Sequence, residues 1–189
     1  MAQNGPMGED GIAYGPWFAL LVVDLQNDFA DPRGSLYVRG GEDIVPLANA
    51  HVRRARAAGA MVIYTQDWHP PHTPHFAQDG GTWPVHCVAD TWDADFVPDL
   101  VVDGPAIQKG TGGEDGYSGF SVRDVETGTI TSTELAQLLS AGGVRVIVLC
   151  GLATDYCVKE TARYARVVPG RCAPGGRQRS VKGGHRRRS

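Results

Sequence analysis

Short continuous apolar runs along the chain predict the strands of a buried sheet. Residues 18–23 form an unbroken apolar run that ends at Asp24, which is typical of a strand buried on both faces of a parallel sheet. Apolar runs at residues 60–65 and 144–150 predict two further strands, and a shorter one is predicted at residues 105–108. The chain therefore has four candidate strands, each followed closely by a polar residue.

Apolar residues at helical spacing lie between these runs. They predict a helix over residues 43–58, a second helix that begins after a capping box of Thr131 and Glu134, and a last helix that begins at Thr154. Strands that alternate with helices predict a Rossmann-like α/β fold, with a mainly parallel sheet and helices on both faces. Residues 66–103 show no clear period and are interpreted as a long functional loop.

Length and composition favour one ordinary domain with a basic tail. The 189 residues have a net charge of −3, yet residues 1–159 carry 9 Lys and Arg against 20 Asp and Glu, whereas residues 160–189 carry 9 against 1. We expect a domain over residues 1–166 and a disordered Pro/Gly/Arg-rich tail over residues 167–189. A basic tail is compatible with a binding protein for nucleic acid, but beyond Tyr164 it has no aromatic residue for base stacking, which makes nucleic acid an unlikely partner.

The composition also indicates where in the cell the protein is expected to be. The longest apolar runs are too short to span a bilayer, and residues 1–16 do not have the pattern of a secretory signal. The four cysteines have irregular spacing that does not suggest a disulfide framework. We therefore expect a cytoplasmic protein without a membrane span, and a homo-oligomer is compatible with these features.

Polar residues follow each predicted strand. Asp24 follows the first strand, Asp67 and His69 follow the second, Lys109 follows the third, and Cys157 lies near the start of the helix after the fourth. Because parallel strands bring their carboxyl ends to one edge of the sheet, we expect these side chains to lie close together.

Cys157 is the candidate nucleophile. With Thr154 as N-cap it would lie in the first helical turn, where free N–H groups favour a thiolate, and Lys109 would lower its pKa further. Asp24 could accept the thiol proton and later deliver it to a leaving amine. The alternative is that Cys157 packs as a small hydrophobic residue, which is the interpretation we prefer for Cys150.

The loop after the second strand is rich in histidine. An acid and four of the six histidines lie within twenty residues: Asp67, His69, His72, His75 and His86. A mixed nitrogen and oxygen donor set suits one divalent metal ion, with Zn²⁺ favoured and Fe²⁺ or Mn²⁺ as alternatives. The other interpretation, a solvated histidine-rich loop, is the weaker one at this density.

These residues also carry a family resemblance. The segment Val-Asp-Leu-Gln-Asn-Asp-Phe at residues 23–29 and the segment Gly-Leu-Ala-Thr-Asp-Tyr-Cys-Val at residues 151–158 resemble two motifs of the isochorismatase-like cysteine hydrolases. Asp-Trp-His-Pro at residues 67–70 and Trp-Pro-Val-His-Cys-Val at residues 83–88 resemble the metal-site signature of their nicotinamidase and pyrazinamidase branch, and Tyr-Ser-Gly-Phe at residues 117–120 is also similar to that branch.

The resemblance implies roles for individual residues. The catalytic triad matches Asp24, Lys109 and Cys157. A cis peptide between Leu152 and Ala153 would aim the amides of Ala153 and Cys157 at an oxyanion. The implied metal ligands are Asp67, His69 and His86, with His75 as an additional ligand found in some members. The aromatic residues implied at the substrate are Phe29, Trp83 and Tyr117.

The implied activity is hydrolysis of nicotinamide, and also of pyrazinamide, to the acid and ammonia through a cysteine thioester. The alternatives are another amidohydrolase of the same family or a truncated, inactive member. The resemblance also implies further C-terminal strands, and because no apolar run follows residue 166, we expect those strands to be missing.

Overall fold

The structure of the protein is a computed structural model that describes residues 5–165. The predicted basic tail and the predicted loss of C-terminal strands lie outside the described residues. The described strands are β1 (Phe18–Val23), β2 (Met61–Asp67), β3 (Ala106–Lys109), β4 (Ser121–Arg123), β5 (Ile130–Ser132) and β6 (Val146–Gly151). The helices are α1 (Asn27–Ala30), α2 (Ile44–Ala57), α3 (Leu135–Ala141) and α4 (Cys157–Tyr164), together with a 3₁₀ turn at Ala77–Asp79.

Four of these strands form a parallel sheet in the order β3-β2-β1-β6. Val23 at the end of β1 is in register with Thr65 of β2 and with Gly151 of β6, while Asp67 is in register with Lys109. The register therefore brings the carboxyl ends of all four strands to one edge, as the sequence pattern predicts.

Helices cover both faces of the sheet. On one face, Ala48 and Val52 of α2 pack with Leu20 of β1, and on the other face Leu135 of α3 and Val158 of α4 pack in a second apolar cluster. This arrangement confirms the predicted α/β fold. Within residues 5–165, none of the helices has the length and apolar character required to cross a membrane.

One predicted helix start and one predicted helix cap are wrong. The last helix begins at Cys157 rather than Thr154, because the amides of Tyr156 and Val158 both donate to the carbonyl of Ala153 and hold the preceding residues in a turn. The capping box before α3 is also absent, since Thr131 lies in β5 and pairs with β4.

The structure of residues 66–103 differs only slightly from the predicted loop. Strand β2 continues to Asp67, and the rest of the segment contains one 3₁₀ turn and isolated bridges that pair His69 with Val88 and Phe76 with Trp83. These bridges fold the loop back over the end of the sheet, so that its histidines lie above the ends of β1 and β2.

Strand β1 contributes buried side chains to the apolar core on both faces of the sheet, so its contribution to the free energy of unfolding can be tested. Leu20 is fully buried, whereas Leu47 on α2 is 48% exposed. We expect Leu20→Ala to lower the free energy of unfolding by about 2–5 kcal/mol, because it removes buried methyl groups and leaves a cavity. Leu47→Ala is the matched control and should change it by less than about 0.5 kcal/mol in urea unfolding. Equal effects of the two variants would contradict the assignment of β1 to the core.

Candidate active site

A buried lysine lies at the centre of the candidate site. Lys109 ends β3, and its Nζ atom is 2.9 Å from Asp24 Oδ2, 2.7 Å from Asp67 Oδ1 and 3.8 Å from Cys157 Sγ. All four side chains are buried. The structure therefore brings together the three residues of the predicted triad, with Asp67 as a second carboxylate on the lysine.

The charges of this cluster depend on one another. Burial opposes the charge on Lys109, but Asp24 and Asp67 outweigh it and raise the lysine pKa well above its usual value. Burial also opposes ionisation of Asp67, yet Lys109, His69 and His86 lower the pKa of that carboxyl. For Asp24, burial together with the charge of Asp67 outweighs Lys109 and raises its pKa. Lys109 is thus a fixed cation, and Asp24 is the carboxylate with the greater proton affinity.

The predicted lowering of the Cys157 pKa is wrong. Burial, with the charges of Asp24 and Asp67, raises the pKa of this thiol well above its usual value, and Lys109 offsets only part of that shift. The thiol therefore keeps its proton, and its sulfur lies within 4.8 Å of an Asp24 carboxylate oxygen. An attack by this sulfur requires a base, and Asp24 is a nearby carboxylate that can act as one.

Thr65 holds Asp24 in place and was missed by the sequence analysis. Its hydroxyl donates a hydrogen bond to Asp24 Oδ1, and its carbonyl accepts one from the Asp24 amide at 3.2 Å. The Oδ2 atom is left to contact Lys109. A threonine near the end of an otherwise apolar strand was the available signal, but the pattern alone does not distinguish it from an ordinary β-branched strand residue.

Two backbone amides lie beside the nucleophile. The peptide bond between Leu152 and Ala153 is cis, as the resemblance implies, and Ala153 lines the adjacent cavity. Cys157 is the first residue of α4, so its amide has no partner within the helix. Within residues 5–165 neither the Ala153 nor the Cys157 amide donates a hydrogen bond. Both are available to an oxyanion.

Three buried histidines form a cluster next to the lysine. The ligand atoms of His69, His75 and His86 lie within 4.8 Å of one another. His86 Nδ1 is 2.8 Å from the carbonyl of Pro84, which assigns its proton to Nδ1 and leaves the lone pair on Nε2. Burial lowers the pKa of His69 to about 4, so that this imidazole is neutral near pH 7.

These residues fit a divalent metal ion. Both ring nitrogens of His69 are buried and have no hydrogen-bond partner among the described residues, although an imidazole needs one for each nitrogen. Asp67 lies on the same cavity but is grouped more tightly with Asp24 and Cys157 than with the histidines. Neutral imidazoles with one nearby carboxylate form the donor set expected for Zn²⁺, Fe²⁺ or Mn²⁺.

The fourth histidine of the loop lies outside this cluster. His72 is exposed and contacts Asp79 at 3.1 Å. This position agrees with the absence of a role for His72 in the family resemblance.

A cavity of about 330 Å³ opens onto the histidines and Ala153. The three predicted aromatic residues, Phe29, Trp83 and Tyr117, line it, and Trp83 Nε1 donates to the Tyr117 hydroxyl at 3.2 Å. Tyr156 was missed, although its ring lies 5.5 Å from that of Trp83 and it precedes the nucleophile in sequence. The cavity is therefore lined by four aromatic residues and three histidines, together with three aspartates.

Two residues that support the metal-ligand candidates were also missed. The side-chain amide of Gln26 pairs with the backbone of Asp67, accepting from its N–H at 2.8 Å and donating to its carbonyl at 2.7 Å. Gly110 has a φ of +79°, and a Cβ atom there would lie 2.4 Å from the ring of His69. Both residues fall inside or beside the motifs, but their contacts depend on tertiary packing that spacing does not reveal.

Known proteins are similar to this chain in sequence and in fold. The chain is 39% identical over 156 residues to the nicotinamidase/pyrazinamidase of Mycobacterium tuberculosis, which covers 78% of this chain and 77% of the relative. The pyrazinamidase of Pyrococcus horikoshii, solved in complex with zinc, superposes with a TM-score of 0.71 at 42% identity and covers 80% of this chain and 79% of that one.

A third similar protein is PnC1 from L. infantum, solved in complex with nicotinate. It has a TM-score of 0.74 and 36% identity, and the match covers 82% of this chain and 77% of that one. The family model of the isochorismatase domain matches residues 18–167. The chain therefore belongs to the isochorismatase family, within the group that includes nicotinamidases and pyrazinamidases.

Proposed function

We propose that this protein is a metal-dependent amidase that hydrolyses nicotinamide to nicotinate and ammonia, and that also accepts pyrazinamide. The observation that carries the proposal is the contact of one buried lysine with Asp24, Asp67 and the Cys157 thiol, beside three histidines at an aromatic cavity. The relatives support the substrate class, since they are nicotinamidases and pyrazinamidases of similar sequence and fold.

The cavity suits a flat heteroaromatic amide. Phe29, Trp83 and Tyr117 provide apolar surface and ring edges for an aromatic ring. His69, His75 and His86, with Asp67, would hold the metal ion, which would supply a Lewis acid for the ring nitrogen of the substrate and so help to orient the ring. The histidines favour a ring with a nitrogen atom over an aliphatic amide of the kind another family member would hydrolyse.

The first chemical step forms a thioester. Asp24 takes the proton of the Cys157 thiol, and the sulfur attacks the carboxamide carbon to give a tetrahedral intermediate. The amides of Ala153 and Cys157 would donate to its oxyanion, and a single donor of this kind contributes about 3–4 kcal/mol to transition-state stabilisation. Lys109 keeps its charge throughout and limits the cost of a second negative charge in the cluster.

The second step releases ammonia and the acid. Asp24 returns its proton to the leaving nitrogen, the carbon–nitrogen bond breaks, and ammonia departs from the thioester. A water molecule, deprotonated by Asp24, then attacks the thioester carbon. The carbon–sulfur bond breaks, the proton returns from Asp24 to the sulfur, and nicotinic acid leaves and ionises in solution to nicotinate. Each proton that Asp24 accepts is returned, so the enzyme finishes the cycle unchanged.

The proposed reaction also bears on the cellular compartment and the metabolic role of the protein. Cys157 must remain a free thiol, which a reducing cytoplasm would preserve. Nicotinate is a precursor for pyridine nucleotides, so we propose a cytoplasmic enzyme of NAD salvage.

The nucleophile can be tested with a matched cysteine. We expect Cys157→Ala to lower the rate of ammonia release from nicotinamide by roughly 10³-fold or more, because the thioester can no longer form. Cys150→Ala is the control, since that thiol is buried inside β6 with its pKa raised by burial to about 12 and has no role in the proposed chemistry. Activity in Cys157→Ala close to that of the control would contradict the mechanism, and no activity in the unmodified protein would favour an inactive family member.

The metal requirement can be tested by removal and return. We expect a strong chelator to abolish ammonia release and added Zn²⁺, Fe²⁺ or Mn²⁺ to restore it. His69→Ala should bind much less metal in elemental analysis, because His69 offers a buried imidazole whose ring nitrogens have no hydrogen-bond partner within residues 5–165. His72→Ala is the control and should retain metal, as this exposed side chain lies outside the cluster. Full activity of the chelated, metal-free protein would show that the metal is not required.

A further inference from the structure

A carboxylate beside the histidine cluster has no part in the chemistry above. Asp115 lies between β3 and β4, and its side chain is 18% exposed. Its Oδ1 atom is 3.3 Å from His75 Nδ1, and its Oδ2 atom is 2.9 Å from a guanidinium nitrogen of Arg123. The two oxygens of one carboxylate thus contact different partners, one at the cavity and one towards the surface.

The backbone fixes the position of Asp115. Its amide donates to the carbonyl of Arg123 at 2.8 Å, and the amide of Arg123 donates to the carbonyl of Asp115. This antiparallel bridge ties Asp115 to β4, and the guanidinium holds Oδ2 on the same side. The orientation of Oδ1 towards His75 is therefore set by the neighbouring strand and does not depend on the histidine.

A purely structural ion pair does not account for this arrangement. Arg123 is 53% exposed, and pairs between exposed charges contribute little to stability. Asp115 Oδ1, in contrast, is buried and accepts no well-aligned hydrogen bond within the described part of the chain. A buried, charged oxygen without a hydrogen bond is costly, which indicates that its contact with His75 has a function.

The ring of His75 needs such a contact to have one defined orientation. It stacks on His69 with ring centroids 5.0 Å apart and an interplanar angle of 24°, and lies near Trp83 at 6.4 Å and 28°. Stacking fixes the plane of the imidazole but does not determine which of its edges faces the carboxylate. Contact of Nδ1 with Asp115 distinguishes between the two flipped orientations of the ring.

We propose that Asp115 is a positioning residue for the metal site, acting through His75. Its carboxylate, 3.3 Å from His75 Nδ1, favours the imidazole proton on that atom, so that Nε2 carries the lone pair and His75 serves as a full ligand beside His69 and His86. This inference rests on the proposed metal site and adds to it a residue that acts on the metal through one of its ligands. A carboxylate that accepts the second N–H of a ligating histidine typically increases metal affinity by 10–100-fold.

The test is zinc affinity of the full chain, measured by competition with a chelator of known affinity and checked by elemental analysis. We expect Asp115→Asn to weaken zinc binding by roughly 10–100-fold, and Asp115→Glu, which keeps the charge, to recover part of that loss. Asp103→Asn is the matched control, because Asp103 also pairs with an arginine, Arg56, at 2.8 Å but forms no ion pair with a histidine of the described residues. It should bind zinc as tightly as the unchanged protein.

A double variant separates positioning from a general structural effect. His75→Ala should itself weaken zinc binding, and adding Asp115→Asn to it should cause no further loss, because Asp115 acts through the missing ring. Unchanged zinc affinity in Asp115→Asn, or a further tenfold loss in the double variant, would overturn the role of Asp115. Equal zinc affinity in His69→Ala and the unchanged protein would instead overturn the metal site itself, and with it the inference.

Discussion

The site depends on one buried cation. Lys109 is 1% exposed and contacts two carboxylates and a thiol, so its charge is available to each of them without competition from water. Without it, Asp24 and Asp67 would be two buried acids in close proximity, and one of them would have to take up a proton. With it, Asp67 stays ionised on the histidine side of the cluster, and Asp24 retains a raised pKa on the cysteine side.

The parallel sheet makes this cluster possible. Adjacent strands deliver Asp24, Asp67 and Lys109 to one edge, and the turn after β6 places Cys157 at the start of α4 above it. The long loop between β2 and β3 then folds back to add the histidines and Trp83. The strand ends thus provide Asp24, Lys109 and the carboxylate of Asp67, and the loop provides the histidines and Trp83 of the proposed metal and ring site.

Much of this could be predicted from the sequence, because apolar runs mark buried strands and a parallel sheet has one carboxyl edge. The four strands of the parallel sheet, the helices on both faces and the proximity of Asp24, Lys109 and Cys157 follow from that reasoning, whereas the β4–β5 pair does not. The pKa of Cys157 was predicted in the wrong direction, because the expectation considered the helix end and Lys109 without the cost of burial. Thr65 and Asp115 were missed because their partners are distant in sequence, and no periodicity marks such contacts.

The most direct test of the central role of Lys109 is the free energy of unfolding, measured in urea with chelator present. Lys109→Met should lose about 3–5 kcal/mol, because it leaves two buried carboxylates without their cation. Combining Lys109→Met with Asp24→Asn and Asp67→Asn should recover most of that stability while ammonia release stays absent. A Lys109→Met protein that unfolds at the same urea concentration as the unchanged protein would contradict the account.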